Sequence, residues 1–119
     1  MIRVELPYPH SDLSPNGRAH HHAKARAVKS HRLWADVATL EALQAGEKAD
    51  LAARPIPVRL TVRAKPRGPL PDRDNCVAMA KSYLDGIAQR LGINDIAFAA
   101  PVVEFSAPRD GRFVIEVGA

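Results

Sequence analysis

Residues 19–45 contain neither proline nor glycine, in a chain that has ten prolines and seven glycines among 119 residues. Because proline and glycine mark most turns, so long a stretch without them has to form one regular element. The segment is rich in alanine, leucine, lysine, arginine and glutamate, which favour helices. Its larger apolar residues recur at helical spacing and are Val28, Leu33, Trp34, Val37, Leu40 and Leu43. The pattern predicts a long helix that stops at Gly46.

The remainder of the chain predicts four strands and a second helix. Residues 2–6 and 56–65 alternate apolar and polar side chains, which is typical of strands with one buried face. Residues 75–91 predict a helix that ends at Gly92, with a buried stripe of Val77, Ala80, Leu84, Ile87 and Leu91. The segments PVVEFSA and RFVIEV flank the turn sequence PRDGR and predict a hairpin. The order β-α-β-α-β-β predicts one α+β (mixed α/β) domain over residues 1–119, with helices packed on a small mixed sheet.

The charge balance is basic, with 17 lysines and arginines against 13 aspartates and glutamates. Such a balance favours a polyanionic partner, usually nucleic acid, although an alkaline but otherwise ordinary surface explains it equally well. The one cysteine, Cys76, leaves no intrachain disulfide and suits a packed helix position better than a reactive one. No apolar run approaches the length of a membrane span, and the N-terminus lacks the apolar core of a signal peptide. The chain is therefore predicted to be cytoplasmic, with no membrane partner.

Two aspartates stand one residue apart in the sequence PDRDN, at the end of a proline-rich loop. If this segment is extended, Asp72 and Asp74 project to the same side, and a divalent cation such as Mg²⁺ would relieve their repulsion. Asn75 could then add an amide oxygen or hold one of the ligands in place. Asp74 could equally cap the second helix, with Asp72 as a turn residue, so both interpretations stay open here.

Residues further along the second helix favour a functional role for the acids. Lys81 follows Asp74 by seven residues, which places it two turns on along the same helix face. Asp85 follows Lys81 by four residues and could pair with it. Asp95 comes just past the end of the helix, and it could return to the acids only if helix and loop bring it round.

This pattern resembles the RusA-type Holliday junction resolvases, and their phage-type members most. The likeness comprises D-x-D-N, a lysine and D-G along the helix, and a further aspartate after a short loop. The segment LPYPHSDLSPNGR is similar to the family's strand end and loop, and the closing strands VVEFSAPRDGRFVIEV match its layout. The resemblance extends over nearly the whole chain.

The resemblance implies a homodimeric, Mg²⁺-dependent endonuclease, with Mn²⁺ as a possible substitute, that nicks four-way DNA junctions symmetrically in recombination and repair. It implies metal ligands at Asp72, Asp74 and Asp95, an essential lysine at Lys81, and a bacterial or phage-encoded protein. The family's lysine often lies four residues after the second aspartate, where this chain has Ala78. That departure keeps a second function open, in which a protein of the same fold binds branched DNA without cutting it.

Cations near the acids are the predicted DNA contacts. Arg59, Arg63 and Lys65 share one face of a strand, and Arg67 and Arg73 follow them, although a solvated sheet face would look the same. On the first helix the predicted contacts are Arg18, Lys24, Arg26 and Lys29. Asn16 either orders its loop or reaches the substrate.

Three adjacent histidines, His20 to His22, suggest a zinc site and a third class of function, a zinc-dependent regulator. Neighbouring side chains on a helix point about 100° apart, so the three rings are predicted not to hold one metal together. They are interpreted instead as donors at the helix start, with incidental nickel or zinc affinity. Trp34 and the leucines of the first helix are interpreted as core or dimer interface and not as base-stacking groups.

Overall fold

The structure is a computed structural model, and it describes residues 1–15 and 20–118. Its elements follow as β1 (Ile2–Pro7), α1 (His21–Gln44), β2 (Val58–Arg63), α2 (Arg73–Leu91), β3 (Val102–Phe105) and β4 (Arg112–Val117). Short 3-10 turns occur at Ser11–Leu13 and Asp95–Ala97. The α+β composition is therefore confirmed, with two helices and a four-stranded mixed sheet among the described residues.

The sheet has the strand order β1-β4-β2-β3. β4 pairs antiparallel with both β1 and β2, whereas β3 pairs parallel with β2. The predicted hairpin between the last two strands is wrong, because β2 lies between them. The connecting segment instead wraps around the end of β2, where Ser106 N–H donates to Val62 O and Gly111 N–H donates to Ala64 O, both at 3.0 Å.

The predicted alternation of β1 and β2 is confirmed. The buried side chains on the helix-facing side of these two strands are Ile2, Val4, Leu6, Val58, Leu60, Val62 and, just after β2, Ala64. Both helices cover this face and close the core against it. In the part of the chain that the structure describes, no helix combines the length and the apolar character needed to cross a membrane.

The two helices differ in the side chains they present to the core. In the stripe predicted for α2, Ala80, Leu84 and Ile87 are buried, while Val77 and Leu91 are half-buried. The inner face of α1 carries smaller or polar residues, which are His31, Ala35, Asp36, Thr39 and Ala42. The large residues of the predicted α1 stripe point outward instead, and four of them are exposed: Leu33, Trp34, Val37 and Leu43.

Close packing between the helices explains why α1 turns its small side chains inward. At Gly86 of α2, an added Cβ would lie 2.2 Å from the Arg32 carbonyl oxygen and 3.0 Å from the Ala35 Cβ. The backbones therefore approach too closely for large residues at this crossing. Polar contacts join the helices at its edges, with Arg90 Nε donating to Asp36 Oδ1 at 2.6 Å.

Candidate active site

The N-terminal end of α2 carries the aspartates of PDRDN. The proline-rich loop before it is held by Arg109, whose guanidinium donates to Gly68 O at 2.8 Å. The helix start is fixed by Arg73, which donates from Nε to Val103 O at 3.3 Å and lies over the Phe105 ring at 5.2 Å. This end of α2 is therefore anchored against β3, and Arg73 is committed to that contact.

Asp72, and not Asp74, caps α2. Asp72 has an extended backbone, and its Oδ1 accepts a hydrogen bond from the Asn75 N–H at 2.7 Å. Asp74 lies exposed in the first turn, and no described residue forms a hydrogen bond or ion pair with its side chain. The capping interpretation is thus correct for the motif but applies to the other aspartate, and it accounts for only one of the two carboxylates.

Lys81 lies at the centre of a charged cluster on the exposed face of α2. Its Nζ donates to Asp85 Oδ1 at 2.8 Å, which confirms the predicted pairing, and to Asp95 Oδ2 at 2.6 Å. The hydrogen bond that Lys81 donates to Asp85, and after it the one to Asp95, raise the pKa of Lys81. The hydrogen bond from Lys81 lowers the pKa of Asp95. Arg32 of α1 adds a longer contact to Asp85 at 3.9 Å.

A tight turn after α2 brings Asp95 back to Lys81. Gly92 adopts a left-handed conformation with φ of 71°, and the next residue, Ile93, donates its N–H to Ala88 O at 3.0 Å. Asn94 then caps the short Asp95–Ala97 turn, with its side chain accepting from the Ile96 N–H at 3.1 Å. Each hydrogen bond reverses the chain a little further, and the carboxylate of Asp95 ends beside the middle of the helix.

The predicted metal ligands occupy two places along α2. Asp95 pairs with Lys81, which follows Asp74 by seven positions of continuous helix, or about 10 Å along the axis. Among the described residues, Asp72, Asp74 and Asp95 do not form a group whose oxygen atoms lie close enough to share one ion. A polar depression of about 360 Å³ lies at the second place, lined by Arg32, Lys81, Asp85, Asn94 and Asp95 among others.

The predicted DNA-contacting cations have different surroundings. Arg63 is bound by acids, because its guanidinium donates to both Asp110 oxygens at 2.8 Å and to Glu5 Oε1 at 2.7 Å. Lys65 lies over the Tyr8 ring at 5.0 Å. The predicted cations that are exposed and whose side chains form no hydrogen bond, ion pair or ring contact with any described residue are Lys24, Arg26, Lys29, Arg59 and Arg67. Asn16 and Arg18 lie outside the described residues.

The three histidines lie closer together than the sequence predicted. His20 is the N-cap of α1, with an extended ψ of 143°, so its ring is not displaced by the helical rotation. One nitrogen from each of His20, His21 and His22 lies within 4.8 Å of the others. The expectation that helix geometry keeps them from one metal is therefore wrong. Imidazole nitrogen suits zinc, nickel or copper, and it gives no support to a magnesium site.

A cavity of about 320 Å³ between the end of β1 and the first half of α1 was not predicted. Its aromatic lining comes from Tyr8, His31 and Trp34. The i, i+3 spacing of His31 and Trp34 was the available signal in the sequence, but Tyr8 joins them only through the fold.

Cys76 is buried, as the sequence predicted. Burial raises the pKa of its thiol to about 11, which keeps the thiol protonated.

The fold and this site define a small α+β protein with an acidic and lysine-bearing face on one helix. The chain is 37% identical over 121 aligned residues to an uncharacterized protein of Xylella fastidiosa, and the alignment spans 98% of this chain and 76% of that protein. The chain belongs to the same family as this bacterial protein. No established family model matches the chain.

Proposed function

We propose that this protein is a Mg²⁺-dependent, structure-selective DNA endonuclease that resolves four-way junctions by paired, symmetric phosphodiester hydrolysis. The observation that supports it is the order of charges along α2. Two carboxylates lie at its N-terminal end, and the Lys81–Asp95 pair lies two turns further on. Acids suited to a metal and an amine suited to a phosphate are thus carried by one rigid helix.

The oxygen atoms at the start of α2 have the chemistry that Mg²⁺ prefers. This ion commonly rests on one or two carboxylates together with water and substrate phosphate. Asp74 is exposed, and Asp72 uses Oδ1 for the helix cap, which leaves its other oxygen for a cation. When bound, Mg²⁺ would offset phosphate charge and lower the pKa of the attacking water. Asp95 already accepts a hydrogen bond from Lys81 through Oδ2.

The residues of the chain supply binding and charge stabilisation. Lys81 stays protonated, since Asp85 and Asp95 raise its pKa, and its side chain is 62% exposed toward solvent. The interval of about 10 Å between Asp74 and Lys81 leaves space for a phosphodiester between them. Exposed cations such as Arg59 and Arg67 would draw the DNA backbone toward these acids.

We also propose that two copies form a homodimer of single RusA-like domains, each spanning residues 1–119. Two active sites related by a two-fold axis would explain paired nicks at symmetric positions. The exposed apolar side chains Leu33 and Val37 on α1 supply a surface for such pairing. The enzyme would act in the cytoplasm, on DNA intermediates of recombination and repair.

The first experiment incubates the purified protein with a labelled four-way junction and Mg²⁺. We expect paired symmetric nicks, and a loss of about 100-fold or more in cleavage for Asp74→Asn. Asp50→Asn is the matched control, because it makes the same chemical change in an exposed loop away from α2. Equal cleavage by Asp74→Asn and the wild type would refute the assignment of Asp74.

A second variant separates the two roles of Asp72. Asparagine caps a helix about as well as aspartate, so Asp72→Asn should keep the stability of the fold while removing a metal-binding charge. We expect this variant to unfold at the wild-type denaturant concentration and to lose cleavage. Full cleavage would mean that Asp72 serves only as a cap.

The alternative function is a non-cleaving protein that binds branched DNA. The observation that favours it is the separation of Asp95 from Asp72 and Asp74. Junction binding without cleavage in either Mg²⁺ or Mn²⁺ would decide for this alternative. If the protein cleaves and Lys81→Ala cleaves like the wild type, the proposed role of Lys81 is wrong.

A further inference from the structure

The cavity beside α1 combines an aromatic wall with charged groups at its rim. About 320 Å³ in volume, it lies between the residues that follow β1 and the first half of α1. Tyr8, His31 and Trp34 form its aromatic wall, and Asp12 and Arg26 are among its polar lining residues. Cavities of roughly this size that join a mostly apolar wall to a few polar groups are typical of small-molecule sites.

The wall is built on a stack of three rings that extends from the core to the surface. The His31 ring stacks on the ring of the buried Tyr83, with 5.2 Å between their centroids. The Trp34 ring packs against the His31 ring, with 4.6 Å between their centroids. Tyr83 is fixed by its hydroxyl, which donates to Pro7 O at 2.6 Å. The outermost ring, Trp34, is 44% exposed. The stack therefore ends in an aromatic surface open to a ligand.

Both nitrogens of the middle ring are held by backbone groups. His31 Nε2 accepts the His10 N–H at 3.1 Å, so the ring proton lies on Nδ1, which donates to Ala27 O at 2.7 Å. His31 is 2% exposed, and its burial lowers the pKa of the ring. A neutral imidazole with both nitrogens hydrogen-bonded cannot rotate without losing both hydrogen bonds. The aromatic wall is therefore already arranged before any ligand binds.

The charged groups at the rim suit an anionic planar ligand. Arg26 is exposed, and no described residue forms an ion pair or a hydrogen bond with its guanidinium. Asp12 has a partly exposed carboxylate, with 28% of the side chain accessible, and its Oδ2 lies 3.3 Å from His10 Nδ1, which leaves Oδ1 for a ligand. A guanidinium binds phosphate, and a carboxylate accepts from the exocyclic amino group of a base such as cytosine. An aromatic face beside both groups has the elements that bind an unstacked nucleotide.

The cavity also adjoins the start of α2. Tyr8 lies beneath Lys65 Nζ at 5.0 Å, and Lys65 begins the loop that leads to Asp72. Cys76, in the first turns of α2, is close enough to contribute to the raised pKa of Tyr8, whose main cause is burial. Tyr8 thus lies between the cavity and the buried side of the start of α2.

We propose that this cavity receives one unstacked nucleotide, with its base against Trp34, its phosphate at Arg26 and an amino group of the base at Asp12. The inference rests on the proposed function for the source of the nucleotide, which is a strand of branched DNA. Bases that carry an exocyclic amino group bind better than thymine there, because thymine lacks that group and offers Asp12 only its ring N3–H.

Trp34 is the one tryptophan of the sequence, so its fluorescence reports directly on the cavity. The full chain is titrated with short oligodeoxycytidylate, with oligothymidylate and with dCMP. We expect saturable quenching, tighter for oligodeoxycytidylate than for oligothymidylate. If the oligonucleotide quenches at lower concentration than dCMP, the ligand is a DNA strand. The reverse order makes it a free nucleotide, and the site still binds nucleotides.

Two variants test the groups, with labelled oligodeoxycytidylate followed by anisotropy. Trp34→Leu should weaken binding by about tenfold, within the range measured for one stacked base. Arg26→Gln should weaken it and lower the salt slope by about 0.7, as expected for one lost phosphate contact on a single strand. Lys48→Gln, an exposed lysine outside the cavity lining, is the matched control and should bind like the wild type. Circular dichroism checks that each variant is folded.

The outcomes separate this inference from the nuclease proposal. Absence of quenching by all three ligands, with wild-type binding by Trp34→Leu, overturns the nucleotide site even if the protein cleaves junctions. Quenching without any cleavage keeps the nucleotide site and counts against the nuclease. Tighter quenching by oligothymidylate overturns the role given to Asp12.

Discussion

The two helices of this protein solve the same packing problem in opposite ways. α2 buries large side chains such as Tyr83 and Ile87 and exposes charged ones such as Lys81. α1 presents small or polar residues to α2 and to the sheet, and it exposes Leu33 and Val37. A glycine at the crossing permits the difference, because it lets α1 approach with its backbone.

Which residues of α1 are buried is thus set by the space between the two helices and not by the hydrophobicity of the side chains. Ala35 lies inside because the space between the helices admits little more than a methyl group there. The larger residues are then left over for the outer face, where they are available to a partner. The following predictions test this contrast through the free energy of unfolding, from the largest expected change to the smallest.

Gly86→Ala should be the most damaging change at the helix crossing. The new Cβ would meet the Arg32 carbonyl oxygen at 2.2 Å, so α1 or α2 has to move. We expect a loss of about 3 kcal/mol in the free energy of unfolding, at the upper end of overpacking effects. Denaturant unfolding measures it. Ala78→Ser also adds one heavy atom to α2, on its exposed face, and should cost much less. Equal costs would show that the helices are not in close contact.

His31 should make the stability of the protein depend on pH. Burial lowers the pKa of its ring in the folded state, whereas the unfolded chain takes up a proton near pH 6.5. Since the unfolded state then binds more protons, the free energy of unfolding should fall below about pH 6.5. The slope is at most about 1.4 kcal/mol per pH unit, and the part due to His31 fades above about pH 7.5, where the unfolded ring is mostly neutral. Urea unfolding across this range measures the effect.

Substitution at His31 provides the check on that assignment. His31→Gln should remove most of the slope between pH 5 and 7, because glutamine does not titrate there. His21→Gln, at an exposed histidine of the same helix, should leave it unchanged. If the slope survives in His31→Gln, the titrating group lies elsewhere.

Asp72→Ala, at the N-terminal end of α2, should lower the free energy of unfolding by a smaller amount. It removes the hydrogen bond to the Asn75 N–H and leaves the first turn of α2 without its cap. The expected cost is about 1 kcal/mol, measured by denaturant unfolding. Asp74→Ala is the matched control in the same turn and should cost less, since Asp74 has no capping bond. A larger cost at Asp74 would reverse the assignment of the two acids.

The sequence was a good guide wherever burial and hydrophobicity coincide. The alternation of β2 is correct, and Ala80, Leu84 and Ile87 of the α2 stripe are buried, because apolar residues fill these core positions. On α1, where the large apolar residues were interpreted as core or dimer interface, four of them are exposed, because alanine and threonine inside carry no stronger signal than leucine outside. The closing hairpin failed for a different reason, since the pairing of β3 with β2 is a long-range contact that no local turn sequence specifies.

The same distinction applies to the candidate site. The Lys81–Asp85 pair was predictable, because four residues on a helix fix the geometry. The Lys81–Asp95 pair depends on the direction in which the chain turns after α2. The spacing of the two residues in the sequence does not specify that direction. The ring stack was still harder to predict from the sequence. Tyr83 lies 52 residues after His31 and contacts it only through the packing of the two helices.

The smallest change in stability is expected on the outer face of α1, where the comparison also bears on assembly. Leu33→Gln and Val37→Gln remove apolar side chains that are 60% and 43% exposed, so each should alter the stability of one protomer by at most about 0.5 kcal/mol. If this face joins two copies, the double variant should sediment as a monomer while the wild type sediments as a dimer.

Leu43→Gln is the matched control, because Leu43 is also exposed on α1 but lies about 120° around the helix from Val37. We expect it to remain dimeric. Unfolding of the double variant has to be compared with wild type at a protein concentration low enough to dissociate any dimer, because assembly adds to apparent stability. A dimeric double variant would place the interface elsewhere. A monomer destabilised by several kcal/mol would mean that this face belongs to the core, and the contrast between the two helices would no longer hold.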